Sequence, residues 1–114
     1  MQLSINAREA QDVTVLDLSG KVVLGEECNS LRGKVMQLLA THKRKILMNM
    51  GEVKRVDSAG IGILVEAVVN TSKEGGRLKL VNLDRLLYNT LRMHRLLAAF
   101  EIFDSEEAAL ASFN

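Results

Sequence analysis

The segment Asp57-Ser58-Ala59-Gly60-Ile61-Gly62-Ile63-Leu64-Val65-Glu66-Ala67-Val68-Val69-Asn70 leaves this chain few ways to fold. Ile61, Leu64, Val65 and Val68 fall on one helical stripe, and Ala59, Ile63 and Ala67 add a second apolar line. One polar edge remains: Ser58, Glu66, Asn70 and Lys73, with Gly62 between the first two. A helix apolar around most of its circumference has to be covered by other elements. Its flanks indicate which. Ile46-Leu47-Met48-Asn49-Met50 is a short apolar run suited to a buried central strand. Gly75-Gly76 supplies a left-handed stop, and Arg77 to Val81 carries Leu78, Leu80 and Val81 as the next strand. The unit from Ile46 to Val81 therefore reads as strand–helix–strand, a right-handed crossover between parallel strands.

The rest of the chain extends this unit in both directions. Leu3, Ile5 and Ala7 alternate with polar residues, which predicts a first strand. Val13 to Leu18 predicts a second strand that stops at Ser19-Gly20, and the short gap from Arg8 to Asp12 suits a hairpin. Lys21 to Gly25 reads as a loop with an exposed Val22-Val23 pair. Glu26 to Thr41 is helical, with Leu31, Val35, Leu38 and Leu39 on one face, and His42 to Lys45 is a polar break. Asn82 or Asp84 can cap a third helix carrying Leu83, Leu86, Leu87 and Leu91. Phe100 to Phe103 suggests a short last strand. Asp104 with Glu107 has the form of a capping box ahead of a helix through Ala108, Leu110 and Ala111. The predicted fold is a single α/β domain over residues 1–114, a small mixed β-sheet with about four helices packed on it.

Several kinds of chemistry lack their residues. His42, His94 and Cys28 are isolated, so no metal site is expected. A serine nucleophile elbow needs glycine two residues before the serine, where Val56 stands. No phosphate loop is present, and Gly60-Ile61-Gly62 lacks the third glycine of a dinucleotide fingerprint. A phosphoaspartate receiver would need an acidic pair after its first strand and a late lysine; Asp12 stands alone and no lysine follows Phe103. The formal net charge of +1 and the 4% aromatic content argue against a nucleic-acid surface, and hence against direct DNA binding. The longest uncharged stretch, Ser58 to Val65, falls well short of the ~20 residues of a membrane span. One cysteine permits no intrachain disulfide, and with no export signal or membrane span a cytoplasmic protein is expected; the missing catalytic, metal and cofactor motifs predict a non-enzymatic one without cofactors.

Asp57-Ser58-Ala59-Gly60 has two readings. Both Asp and Ser start helices well, so the motif could be a cap alone. Against that, Ser58 tops the single polar edge, and the small Ala59, Gly60 and Gly62 leave its hydroxyl unshielded. Glycine in a helix costs about 1 kcal/mol relative to alanine. A helix N-terminus also favours an added phosphate by roughly 0.3–1 kcal/mol.

Val56 to Leu64, followed by Glu74-Gly75-Gly76-Arg77-Leu78-Lys79-Leu80-Val81-Asn82-Leu83, closely resembles the STAS-domain anti-sigma factor antagonists of bacteria. The resemblance extends to Leu18-Ser19-Gly20 and to Phe100 through Ala108, and so covers essentially the whole chain. It implies a small mixed sheet with helices on one side. It aligns Ser58 with the family's phosphorylated serine and Asp57 with the acidic residue that usually precedes it. Asn49 stands where the family often has aspartate, and Arg55 where it often has an aromatic residue.

The function implied is partner switching. The dephosphorylated antagonist binds an anti-sigma factor that is also a serine kinase, which frees a sigma factor. The kinase phosphorylates the antagonist and releases it, and a serine phosphatase resets the cycle. ATP and magnesium would belong to the kinase. Val22, Val23, Lys54, Arg55 and Glu66 are expected to rim the face that carries Ser58. The alternative is a non-switching STAS scaffold or adaptor in a stress-signalling or transporter-associated complex, in which Ser58 only caps its helix.

Overall fold

Five strands lie side by side in chain order, β1-β2-β3-β4-β5, in a computed structural model that describes residues Met1–Asn114. They are β1 (Leu3–Ala10), β2 (Val13–Val22), β3 (Lys45–Val56), β4 (Arg77–Val81) and β5 (Ile102–Phe103). The helices are α1 (Glu26–Ala40), α2 (Ser58–Lys73), α3 (Arg85–Met93) and α4 (Glu106–Ala111), with a 3-10 turn at Leu97–Ala99. β1 and β2 are antiparallel, and every later pair is parallel. The predicted crossover from β3 through α2 to β4 is present. The β1–β2 hairpin turns on Gln11 and Asp12, both left-handed at φ 51° and 64°. A two-residue turn with two positive φ values matches the twist of its strands.

Side-chain alternation sorts the sheet into two faces. Leu16, Leu18, Ile46, Met48, Leu78 and Leu80 meet α1 and α2 in the larger core of 21 buried residues. Val13, Val15, Leu47 and Val81 meet Ala109, Leu110 and Phe113 in a second core of seven. The expectation of helices on one side is thus corrected: α4 packs on the opposite face. Lys79 shares that face and is 1% exposed. Its Nζ donates to the carbonyl and Oγ of Ser112 at 3.0 and 2.9 Å, and lies 4.6 Å from the Phe113 ring centroid. Arg8 clamps the same helix from β1, pairing with Asp17 and with Glu106.

Several boundaries differ from expectation: β1 runs on to Ala10, the last strand is confined to Ile102–Phe103, and Leu83 precedes the cap of α3. β2 continues past Ser19-Gly20 to Val22, because register shifts between Asp17 and Ser19 and between Gly20 and Lys21 absorb the interruption. β3 continues past the apolar run Ile46–Met50 to Val56. The cap of α4 is Ser105, whose Oγ accepts from the Ala108 N–H at 3.1 Å, so Asp104 and Glu107 form no capping box. Asp84 caps α3 through the Leu87 N–H at 2.8 Å. Gly75 supplies the expected left-handed stop at φ 80°, and Gly76 N–H returns to the Thr71 carbonyl at 2.9 Å.

Candidate functional site

Parallel β2 and β3 end together, with Val22 opposite Val56. Only Asp57 separates β3 from the first turn of α2, so that turn stands at the carboxyl end of the parallel strands. Asp57 is the N-cap. Its Oδ1 accepts from the Gly60 N–H at 2.8 Å, and its Oδ2 accepts from the Leu24 N–H at 3.0 Å. Both carboxylate oxygens are therefore committed, one to α2 and one to the link before α1. The backbone N–H groups of Leu24 and Gly60, aided by the charge of Arg55, hold this carboxyl below its usual range.

The cap assignment separates the two readings of the motif. Ser58 is the first residue of α2, outside the cap bonds, and its side chain is exposed. Gly62 follows one turn later on the same edge, also exposed; a Cβ built there meets nothing within 4 Å. Gly60 is different. It is buried, and a Cβ there would lie 2.1 Å from the Val22 carbonyl oxygen and 2.8 Å from Val56 Cγ1. Gly60 thus serves close packing of α2 on β2 and does nothing to expose the serine. Ala59 is half-buried beside it.

The expected rim is only partly assembled. Val22 is fully buried in the larger core, which corrects its placement on an outer face: strand β2 carries it beneath α2. Val23 is half-buried, while Leu24, which the sequence reading left out, is 76% exposed. Lys54 and Arg55 are exposed on the end of β3. Glu66 continues the Ser58–Gly62 edge and pairs with Arg32 of α1, Nε to Oε2, at 2.8 Å. Arg32 also donates to Asn29 Oδ1 at 2.9 Å. No spacing in the sequence links residues 32 and 66; only the packing of α1 beside α2 does. Asn49 lies away from this edge. It shares the α4 side of the sheet, donates to Asp17 at 2.9 Å and accepts from Asn82 at 3.1 Å. Burial raises the Cys28 thiol above its usual range, which leaves it a core residue. No three His, Cys, Asp or Glu side chains converge as a metal site would require.

The sequence profile of the STAS domain matches residues 4–109. The chain belongs to the STAS-domain family. Among solved structures, this STAS domain is similar to a Thermotoga maritima protein proposed to be an anti-sigma factor antagonist. The two share 20% identity over 96% of this chain and 93% of that one, at a TM-score of 0.85. It is also similar to the Bacillus cell fate determinant SpoIIAA in its phosphorylated form: 17% identity, 97% and 100% coverage, TM-score 0.75. A sulfate transporter family protein of Wolinella succinogenes aligns at 20% identity over 92% and 87% of the chains, TM-score 0.71. At these identities the likenesses establish the fold. No curated protein sequence matches significantly. No helix is long and apolar enough to cross a membrane.

Proposed function

We propose that this STAS domain is a cytoplasmic anti-sigma factor antagonist. It binds a kinase-type anti-sigma factor, releases a sigma factor, and is switched off by phosphorylation at Ser58. The observation that carries this reading is the division of labour at α2: Asp57 makes the cap, so Ser58 is left exposed with no structural duty. Likeness to SpoIIAA supports it: the similar structures include SpoIIAA as an unphosphorylated anti-sigma factor antagonist and in its phosphorylated form. The domain contributes a hydroxyl and a surface; ATP, magnesium and transfer chemistry belong to the kinase. A serine phosphatase would reverse the modification.

The energetics suit a switch. A phosphoserine carries about −1.5 to −2 charges at neutral pH. At about 4 Å from a partner carboxylate and an effective dielectric near 20, each charge costs ~4 kcal/mol. A hundredfold loss of affinity needs only about 2.7 kcal/mol. Asp57, already ionised beside it, adds to the repulsion. Exposed Leu24, Val23, Arg55 and the Gly62 gap would lie in the same contact.

The test is binding to the kinase-type anti-sigma factor of the same organism by calorimetry. Ser58→Ala should bind as the unmodified protein does, and Ser58→Asp about a hundredfold more weakly or worse. Equal affinities would defeat the switch. The likeness to a sulfate transporter family protein favours one rival, a transporter-associated scaffold. Such a scaffold would bind its partner identically with Ser, Ala or Asp at position 58.

A further inference from the structure

We infer that the groove between β5 and α3 is a docking site for an extended peptide segment of a partner protein. The segment adds to β5 as a further strand and sets a large apolar side chain against the helical wall of the groove. The site is separate from Ser58 and does not depend on its modification.

β5 is the last strand of the sheet, so one of its sides has no neighbouring strand. On the other side, the Leu80 and Asn82 N–H groups donate to the Glu101 and Phe103 carbonyls, both at 3.0 Å. Main-chain groups alternate sides along a strand, so the N–H and C=O of Ile102, between those two residues, point outward from the sheet. The backbone is already extended at Phe100, with φ −126° and ψ 144°. The edge thus offers a short run of strand conformation with a free donor and acceptor on one residue. A donor and acceptor on an open edge are what an added strand engages.

Ile102 also lines a groove of about 720 Å³, together with Tyr88, Leu97 and Phe100. Tyr88 is 42% exposed, and Leu97 and Ile102 are half-buried, so this apolar wall can be reached from solvent. α4 packs on the opposite face of the sheet, where Phe103 meets it, and leaves the groove open. One residue therefore joins an unpaired main-chain edge to an apolar wall. That juxtaposition selects a polypeptide in extended form: its backbone pairs with Ile102 and an alternate side chain enters the groove.

Charge narrows the occupant further. Arg85 and Asp104 both line the groove, both are exposed, and neither belongs to an ion pair of the domain. A segment charged with one sign would be repelled by one of them. A segment with a basic and an acidic residue around its apolar side chain complements both. A second copy of this chain is a poor occupant, because β5 set against β5 would crowd the exposed Glu101 and Asp104 carboxylates of the two copies.

The experiment is an NMR titration of the full chain, isotope-labelled, with a short blocked peptide. The peptide has a central phenylalanine between two threonines, with a lysine on one side and a glutamate on the other. Expected are amide shifts centred on Tyr88, Leu97 and Ile102, and slowed hydrogen exchange at the Ile102 N–H. Alanine in place of the phenylalanine should weaken binding by about tenfold or more. The central peptide amides are then N-methylated one at a time; at least one methyl group should weaken binding by about tenfold, since it removes a strand hydrogen bond and blocks close approach. Ile102→Pro removes only the outward N–H from the edge and should abolish binding, whereas Ile102→Val should bind as the wild type does. The methylated peptides test the strand pairing without altering the protein, so they decide the matter even where Ile102→Pro fails to fold. Equal binding of every methylated peptide, shifts centred on Ser58 or on Ile5 of the opposite edge strand, or no response at millimolar peptide would overturn the inference. So would free phenylalanine that reproduces the peptide's shifts, or a chain that dimerises through Ile102 without peptide.

Discussion

Gly60 and Gly62, two positions apart in α2, should answer the same substitution with opposite signs. At Gly62 a new methyl group meets nothing within 4 Å, and the backbone is ordinary helix. Alanine there recovers the helix propensity that glycine forfeits, about 0.8–1 kcal/mol. For a chain of 114 residues, unfolding entropy converts that into a rise of about 4 °C in melting temperature. At Gly60 the methyl would sit 2.1 Å from the Val22 carbonyl oxygen and 2.8 Å from Val56 Cγ1. Non-bonded contact distances are ~3.5 Å or more, so α2 would have to move away from β2 by roughly an ångström. The Val22 carbonyl is fixed in a strand and also accepts the Asp57 N–H at 3.3 Å, so it cannot yield as a flexible side chain would. Overpacking of this kind costs about 1–3 kcal/mol, which outweighs the propensity gain and leaves a net loss. Urea unfolding followed by circular dichroism measures both variants, with matched m-values confirming that only stability has changed. Shifts of the same sign, or destabilisation by Gly62→Ala, would refute the assignment of Gly60 to packing and Gly62 to open surface. The stabilised Gly62→Ala protein should also be a poorer kinase substrate, because its methyl group stands one turn from Ser58 on the edge proposed to meet the partner.

Other outcomes follow from the α4 side of the sheet and from the cap. Lys79→Ala should cost about 2–4 kcal/mol in urea unfolding, through a cavity and two lost charge-assisted bonds, while Lys79→Met should cost clearly less. Asp17 is held below the usual carboxylate range first by Arg8 and then by Asn49. Its contribution is complete above the unfolded value near ~4 and is lost as pH falls through the lower folded value. Arg8→Met should therefore flatten the acid limb of stability against pH and speed amide exchange in α4. Asp57→Ala should lower the melting temperature and loosen the Leu24 and Gly60 amides together, since one carboxylate holds both. Hydrogen exchange at Leu24 unchanged in that variant would contradict the shared cap.

What could be read from the sequence was whatever depends on periodicity and local stops. The α2 stripe, the Gly75 stop and the apolar strands on either side fix the crossover at the centre of the sheet. Strand lengths were harder, because Gly20 and Gly51 look like punctuation, while bulges and long pairing carry β2 and β3 through them. Val22, flanked by glycines, read as exposed; only the approach of Gly60 to its carbonyl puts it under α2. Alternation in Leu78-Lys79-Leu80 suggests a lysine in solvent, yet α4 crosses that face and buries it. Ser58 stands out by its place on the polar edge, but whether it or Asp57 makes the cap is a matter of one residue of phase. The Arg32–Glu66 pair and the exposed Leu24 exist only through tertiary packing, so no local pattern announces them.

The most direct test of the partner-switching account is intact mass spectrometry of the protein after incubation with its kinase-type anti-sigma factor and ATP. The wild-type chain should gain the mass of one phosphate, and Ser58→Ala should gain none while still binding the kinase. A phosphate that persists on Ser58→Ala, or a wild-type chain left unmodified by a kinase that binds it, would contradict the claim.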